Sequence, residues 1–210
     1  MEITFIFSIL ILIMSVVVHE VSHGFMAEKL GDHTARYAGR LTLNPIPHID
    51  PIGSIVVPLL LIVFQSPFLF GWAKPVPVNT YNIRHKYGSA LVSFAGPGAN
   101  LAIVFIFAMM LRFFPIAEIS LSMYTTFFLI IKLNAVLAIF NLIPIPPLDG
   151  SHILFNFLPP SMTYIRMFLE QNGFYILMGI ILLNFVSGGL ILGTLFNGVI
   201  DIIFRIFIGI

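Results

Sequence analysis

The stretch Ile3–His23, ITFIFSILILIMSVVVHEVSH, decides the fold. From Ile3 to Val18 it carries no charge, no glycine and no proline. As a helix this run rises about 24 Å, most of the way across a hydrocarbon core of about 30 Å. It has no basic n-region and no small-x-small cleavage site, so it reads as a mature helix rather than a leader. It leads without a break into His19-Glu20-Val21-Ser22-His23, which sets the helix over about residues 3–30.

The rest of the chain has the same character. Of 210 residues, 59% are hydrophobic and 9% charged, and mean hydropathy is +1.04. Ten Lys/Arg and nine Asp/Glu cannot clothe a soluble domain, where roughly 25% of residues are charged. The expectation is an all-α polytopic membrane protein in a lipid bilayer, with about five or six transmembrane helices. A net charge of +1 gives no field for nucleic acid. With no cysteine, disulfides, thiolate metal sites and cysteine nucleophiles are excluded.

Working outward, residues 31–51 form a polar, proline-bearing loop, and 52–73 are apolar but carry Pro58, Pro67 and Gly71. Lys74-Pro75-Val76-Pro77-Val78-Asn79 is extended by its prolines and is a candidate edge strand. Residues 88–111 and 121–140 are clear spans, and 174–208 should divide into two helices at Gly188-Gly189. The second of these should bring Asp201 and Arg205 back to the cytoplasmic side. Lys29–Arg40 and Lys74–Lys86 each hold three basic residues, so both belong on the cytoplasmic side. Residues 52–73 must then enter and leave on one side, as a re-entrant hairpin; the alternative is an ordinary span, with Lys74–Lys86 outside.

His19 and His23 stand at i and i+4, one turn apart on one helix face, where both imidazoles reach one ion. Glu20 projects about 100° away, beside that ion. This is the metalloprotease pattern of two histidine ligands with a glutamate as general base. Ionisable groups are expensive in a membrane helix, and a helix end reaching headgroups explains polarity but not this spacing. A catalytic zinc needs a third protein ligand and an open position. Asp149 is the best candidate: it follows a span that ends on the side of His19, Pro144, Pro146 and Pro147 free backbone to turn inward, and Gly150 permits close approach. The competing reading is a helix cap. His152, His48 and Asp50 are weaker candidates. His33 and His85 read as loop residues.

The early H-E-x-x-H, then Ala95-Gly96-Pro97-x-x-Asn100, then Asn141-x-x-Pro144-x-Pro146-Pro147-Leu148-Asp149-Gly150, together resemble the site-2 protease family of intramembrane zinc metalloproteases, in its compact bacterial-type branch without a PDZ or CBS module. The resemblance spans about residues 15–155. It implies zinc held by His19, His23 and Asp149, Glu20 activating a zinc-bound water, and Asn141 helping to hold substrate or oxyanion. It further implies residues 1–210 as a single membrane-embedded domain that cleaves a transmembrane segment of another protein, in regulated intramembrane proteolysis. The site would lie near the cytoplasmic face of a bacterial cell membrane. The alternative is a zinc-binding membrane protein without protease activity, either an inactive relative or a transporter.

Overall fold

The computed structural model describes residues 2–63, 71–114 and 120–209. Eight α-helices order these residues: α1 Glu2–Lys29, α2 Thr34–Tyr37, α3 Val57–Val63, α4 Gly88–Phe113, α5 Leu121–Leu142, α6 Asp149–Phe157, α7 Thr163–Val186 and α8 Leu190–Ile203. Five helical segments are long and apolar enough to cross a membrane: Ile6–Lys29, Gly88–Phe113, Leu121–Asn141, Pro160–Val186 and Leu190–Ile208. The chain is an integral membrane protein.

Local chemistry sets the helix ends. The Ser120 side chain accepts the Met123 N–H at 3.2 Å and caps α5. At the other end α5 stops before Pro144, which disfavours helical backbone in the residue preceding it. The predicted break at Gly188-Gly189 is a Schellman turn. Gly188 is left-handed at φ 67°, and the N–H groups of Gly188 and Gly189 return to the carbonyls of Phe185 and Asn184.

Helix α4 is the axis of the bundle and packs on α1, α5 and α6. Val104, Ala108 and Leu111 of α4 form a core with Ile131 and Ala135 of α5 and with Ile200, Ile203 and Phe204. Small residues at such contacts let helices approach closely where no hydrophobic effect drives them together.

The two basic loops lie at one end, as charge bias requires. Asp32 accepts from the Asn79 N–H at 2.7 Å and from Asn82 Nδ2 at 2.9 Å. The hairpin expected over 52–73 also returns to its origin. The Trp72 N–H donates to Gly53 O at 3.1 Å, and Ser54 Oγ donates to Trp72 O at 2.8 Å. A single crossing would leave those ends about 30 Å apart. The intervening residues 64–70 lie outside the described ones.

Two expectations are corrected. Among the described residues there is no β-strand. Residues 72–76 are extended and anchored at every second residue, but by separate loop carbonyls and side chains rather than by a neighbouring strand. The second correction is the end of the chain. Arg112 Nη1 lies 3.4 Å from the carbonyls of both Ile206 and Phe207. Arg112 is about 24 Å along α4 from Gly96, so Arg205 sits at the end of the bundle opposite His19, not beside it. A cation satisfying the last carbonyls of a helix is a favourable pairing.

Candidate metal centre

Helix α1 carries His19, Glu20 and His23 on continuous helix, and about 15 Å of that helix separates His19 from Lys29. Both histidines are buried, at 4% and 9% exposure. Their rings stand edge to face with centroids 4.7 Å apart. Among the described residues, His19, Glu20 and His23 form the one group whose ligand atoms lie within 4.8 Å of one another.

Asp149 joins them from the other end of the sequence. Its Oδ2 lies 3.1 Å from His19 Nε2 and 3.3 Å from His23 Nε2. The competing cap reading fails, because Leu148 is the N-cap of α6 and Asp149 is the first helical residue. The turn that delivers it depends on Gly150, where an added Cβ would lie 2.2 Å from Leu142 O. An ionised carboxylate at this point is what a metal ligand must offer.

The donor set fits zinc. Bonds of about 2.0–2.1 Å in a tetrahedral shell put neighbouring ligand atoms about 3.3 Å apart, and the two gaps to Asp149 are 3.1 and 3.3 Å. The far nitrogens are already engaged. His19 Nδ1 lies 2.6 Å from Asn100 Oδ1, and His23 Nδ1 lies 2.7 Å from Val92 O. Both are acceptors, so each imidazole keeps its proton on Nδ1 and turns the Nε2 lone pair inward, as metal-binding histidines do. Space for an ion is left by Gly96. A Cβ there would lie 2.5 Å from His23 Nε2 and 2.7 Å from His19 Nε2.

Behind His19 runs a polar chain within the bundle. Asn100 Nδ2 donates to Asn134 Oδ1 at 2.8 Å and lies 3.2 Å from Ser15 O. Asn134 Nδ2 donates to Ile130 O at 2.9 Å. Asn100 and Asn134 are 0% and 1% exposed. Sequence reading gave these two residues no role. Their signal was available, since amides inside apolar spans need partners.

The remaining candidates are placed as follows. Glu20 Oε2 accepts the Val76 N–H at 2.8 Å. Asn141 Nδ2 donates to Leu137 O, one turn back on α5, at 2.9 Å. His152 is exposed. His48 is buried and lies 3.0 Å from Thr42 O through Nε2. Asp50 caps the helical turn after it, accepting from the N–H groups of Ile52 and Gly53. His33 pairs with Glu28 at 3.5 Å, and His85 accepts the Tyr87 N–H at 3.2 Å. These four histidines and the aspartate hold loops together or face solvent, and none belongs to the cluster of His19, Glu20 and His23.

The profile of peptidase family M50 matches residues 115–186. YwhC of Bacillus subtilis, a candidate zinc metalloprotease by name, is 38% identical over 206 residues, covering 95% of this chain and 90% of that one. Rip2 of Mycolicibacterium smegmatis, named in the same way, is 32% identical over 167 residues, 79% of this chain and 62% of its own. Rip2 of Mycobacterium tuberculosis is 36% identical over 151 residues, 71% of this chain and 56% of its own. No solved structure matches the chain. This integral membrane protein is therefore a zinc metallopeptidase belonging to peptidase family M50, the site-2 protease family.

Proposed function

We propose that residues 1–210 form one membrane-embedded domain that hydrolyses a peptide bond within or beside a transmembrane segment of another protein. The reading rests above all on one observation: His19 Nε2 and His23 Nε2 both approach Asp149 Oδ2, while both Nδ1 atoms are already engaged. In this reading His19, His23 and Asp149 hold the metal, and Glu20 is the base. Zinc, when bound, supplies Lewis acidity, which makes water a nucleophile at neutral pH and draws charge from the scissile carbonyl. Glu20 stands beside that point and is not needed as a ligand. It takes the proton of the attacking water and delivers it to the leaving amine. Asn141 helps to hold substrate or oxyanion, exchanging its bond to the Leu137 carbonyl for one to the substrate. A helical substrate hides its amides in internal hydrogen bonds and must unwind before attack.

The basic loops at the same end of the bundle support a site near the cytoplasmic face of a bacterial membrane. A transporter would need a polar path through both halves of the bilayer. The polar residues around His19 instead gather toward one end, and the opposite end closes on the apolar core of α4, α5 and α8.

The experiment is cleavage of a membrane-reconstituted helical substrate by the parent, Glu20→Gln, His19→Ala and His23→Ala, with zinc measured in each. Glu20→Gln should retain zinc and lose turnover, whereas the histidine variants should lose both. A Glu20→Gln protein with parental turnover would defeat the mechanism.

A further inference from the structure

Among the described residues, the backbone of the extended segment Trp72–Val76 is held along one edge. The Trp72 N–H donates to Gly53 O and its carbonyl accepts from Ser54. The Lys74 N–H donates to His48 O at 2.9 Å, and its carbonyl accepts from Arg40 Nη2 at 2.6 Å. The Val76 N–H donates to Glu20. In extended backbone the polar groups of alternate residues point to the same edge, so residues 72, 74 and 76 face the protein. Residues 73, 75 and 77 face away, and two of these are proline with no N–H to offer. The outward edge thus lacks donors at Pro75 and Pro77 and is poorly built to receive another strand. Trp72 and Lys74 spend both their N–H and C=O groups inward, and the Val76 donor ends on the glutamate.

Arg40 gives the segment an unusual anchor. It is buried, at 7% exposure, and among the described residues no carboxylate pairs with it. Its Nε has no partner, and His48 Nδ1 is 3.5 Å from Nη2. A buried guanidinium without an anion is costly, and its shortest contact is to the Lys74 carbonyl, two residues before Val76.

We infer that the segment Trp72–Val76 is a strap that aims Glu20 through the Val76 N–H, and that Arg40 is a positioning residue that braces the strap at Lys74. The inference rests on Glu20 acting as the base. One carboxylate oxygen is tied to Val76, which fixes the rotation of the group and leaves the other free to meet water. Without the tie, Glu20 would sample rotamers on an open face of α1, and the fraction aimed at the metal would fall. Binding of metal and of substrate would be untouched.

The test compares Val76→Pro with Val76→Ala. Proline removes the N–H and suits a backbone already set by Pro75 and Pro77, whereas alanine keeps the donor and loses side-chain packing. With a short soluble peptide as substrate, kcat of Val76→Pro should be about 100-fold below that of Val76→Ala, the usual penalty for a catalytic group misplaced by about 1 Å. KM and zinc content should match between the two. Arg40→Met, of similar bulk but without donors, should lower kcat in the same direction, again with zinc retained. Equal kcat in the two Val76 variants would overturn the strap, and parental kcat in zinc-loaded Arg40→Met would overturn the brace. If Val76→Pro fails to fold, the kcat–KM split in Arg40→Met decides. Glu20→Gln separates the two layers: active Glu20→Gln defeats the base itself, while inactive Glu20→Gln beside active Val76→Pro defeats only the strap.

Discussion

Gly96→Ala adds a single carbon and should empty the metal centre. That carbon would lie 2.5 Å from His23 Nε2, 2.6 Å from His23 Cε1 and 2.7 Å from His19 Nε2. Ordinary contacts begin at about 3.5 Å, so the overlap is roughly 1 Å on each of two imidazoles. Neither side can retreat cheaply. Val92 and Asn100, one turn to each side of Gly96 on α4, are bonded to the same two histidines. Moving α4 away would break both bonds, and turning the rings would spoil the lone-pair directions. Two of three metal donors are displaced, so zinc affinity should fall at least about 100-fold, or about 2.7 kcal/mol. Overpacking should cost the fold only about 1–3 kcal/mol, which leaves a folded, metal-poor and inactive protein. Zinc titration of detergent-purified protein, with cleavage measured in parallel, reads both quantities. Gly98→Ala is the control, because a Cβ there meets only the Phe94 ring at 3.2 Å. If Gly96→Ala bound zinc as tightly as Gly98→Ala and cleaved substrate equally, the placement of the ion among His19, His23 and Asp149 would be wrong.

Other perturbations probe the surroundings of the centre. Asn100→Leu should weaken zinc binding about 10–100-fold, because His19 loses the acceptor that fixes its tautomer; Asn134→Leu, one bond further out, should act in the same direction but less, and an unchanged zinc affinity in Asn100→Leu would refute the orienting role. Asp149→Ala should abolish both zinc binding and cleavage while Asp50→Ala and His152→Ala keep the metal, and an atomic-absorption measurement on the three proteins would show whether the order is otherwise. Asp32 supplies a pH prediction. Burial opposes its ionisation, but donors from Thr34, Asn82 and Asn79 prevail and hold its pKa below the ordinary carboxylate value. A depressed pKa stabilises the folded state above the unfolded value of about 3.9 and loses that contribution as pH falls through the lower folded value. Thermal stability of the parent should therefore drop more steeply below about pH 4 than that of Asp32→Asn, and parallel curves would remove Asp32 from the account.

Several parts of this molecule were legible because a single local rule governs them. The i, i+4 spacing of His19 and His23 needs no tertiary information to define a face, and Gly188-Gly189 can end one helix and begin another by backbone freedom alone. The basic loops predicted a shared side, and the Asp32–Asn79 bond and the return of Trp72 to Gly53 agree. Other parts depend on register between distant segments. The direction in which Asp149 points is set by the turn through Pro144–Gly150, so sequence left it open to a capping reading. The last turn of the chain settles on Arg112 through backbone carbonyls, which carry no side-chain signature. The strap misled for the same reason: its alternating prolines correctly gave an extended edge, but which edge faces inward depends on Gly53, His48, Arg40 and Glu20, four residues scattered over α1, two short helical turns and a loop.

The division of labour between α1 and α4 follows from helical geometry. Ser15, His19 and His23 stand at i, i+4 and i+8 on α1, and Val92, Gly96 and Asn100 have the same spacing on α4. Each set is one stripe on its helix. The contacts run in opposite order: Ser15 and His19 meet Asn100, and His23 meets Val92, with Gly96 against both imidazoles. Antiparallel stripes in register can place three polar contacts in a membrane only if every donor finds an acceptor, since an unmatched group there costs several kcal/mol. That requirement is met by Asn100, whose oxygen faces His19 and whose nitrogen faces Asn134 and Ser15. The same requirement selects one rotation of α1 against α4, because a slip of one residue turns each stripe about 100° away from the other. The centre is therefore preorganised by the need to satisfy polar groups in lipid, and the glycine between the two anchoring residues keeps that closely packed seam open where the ion must sit.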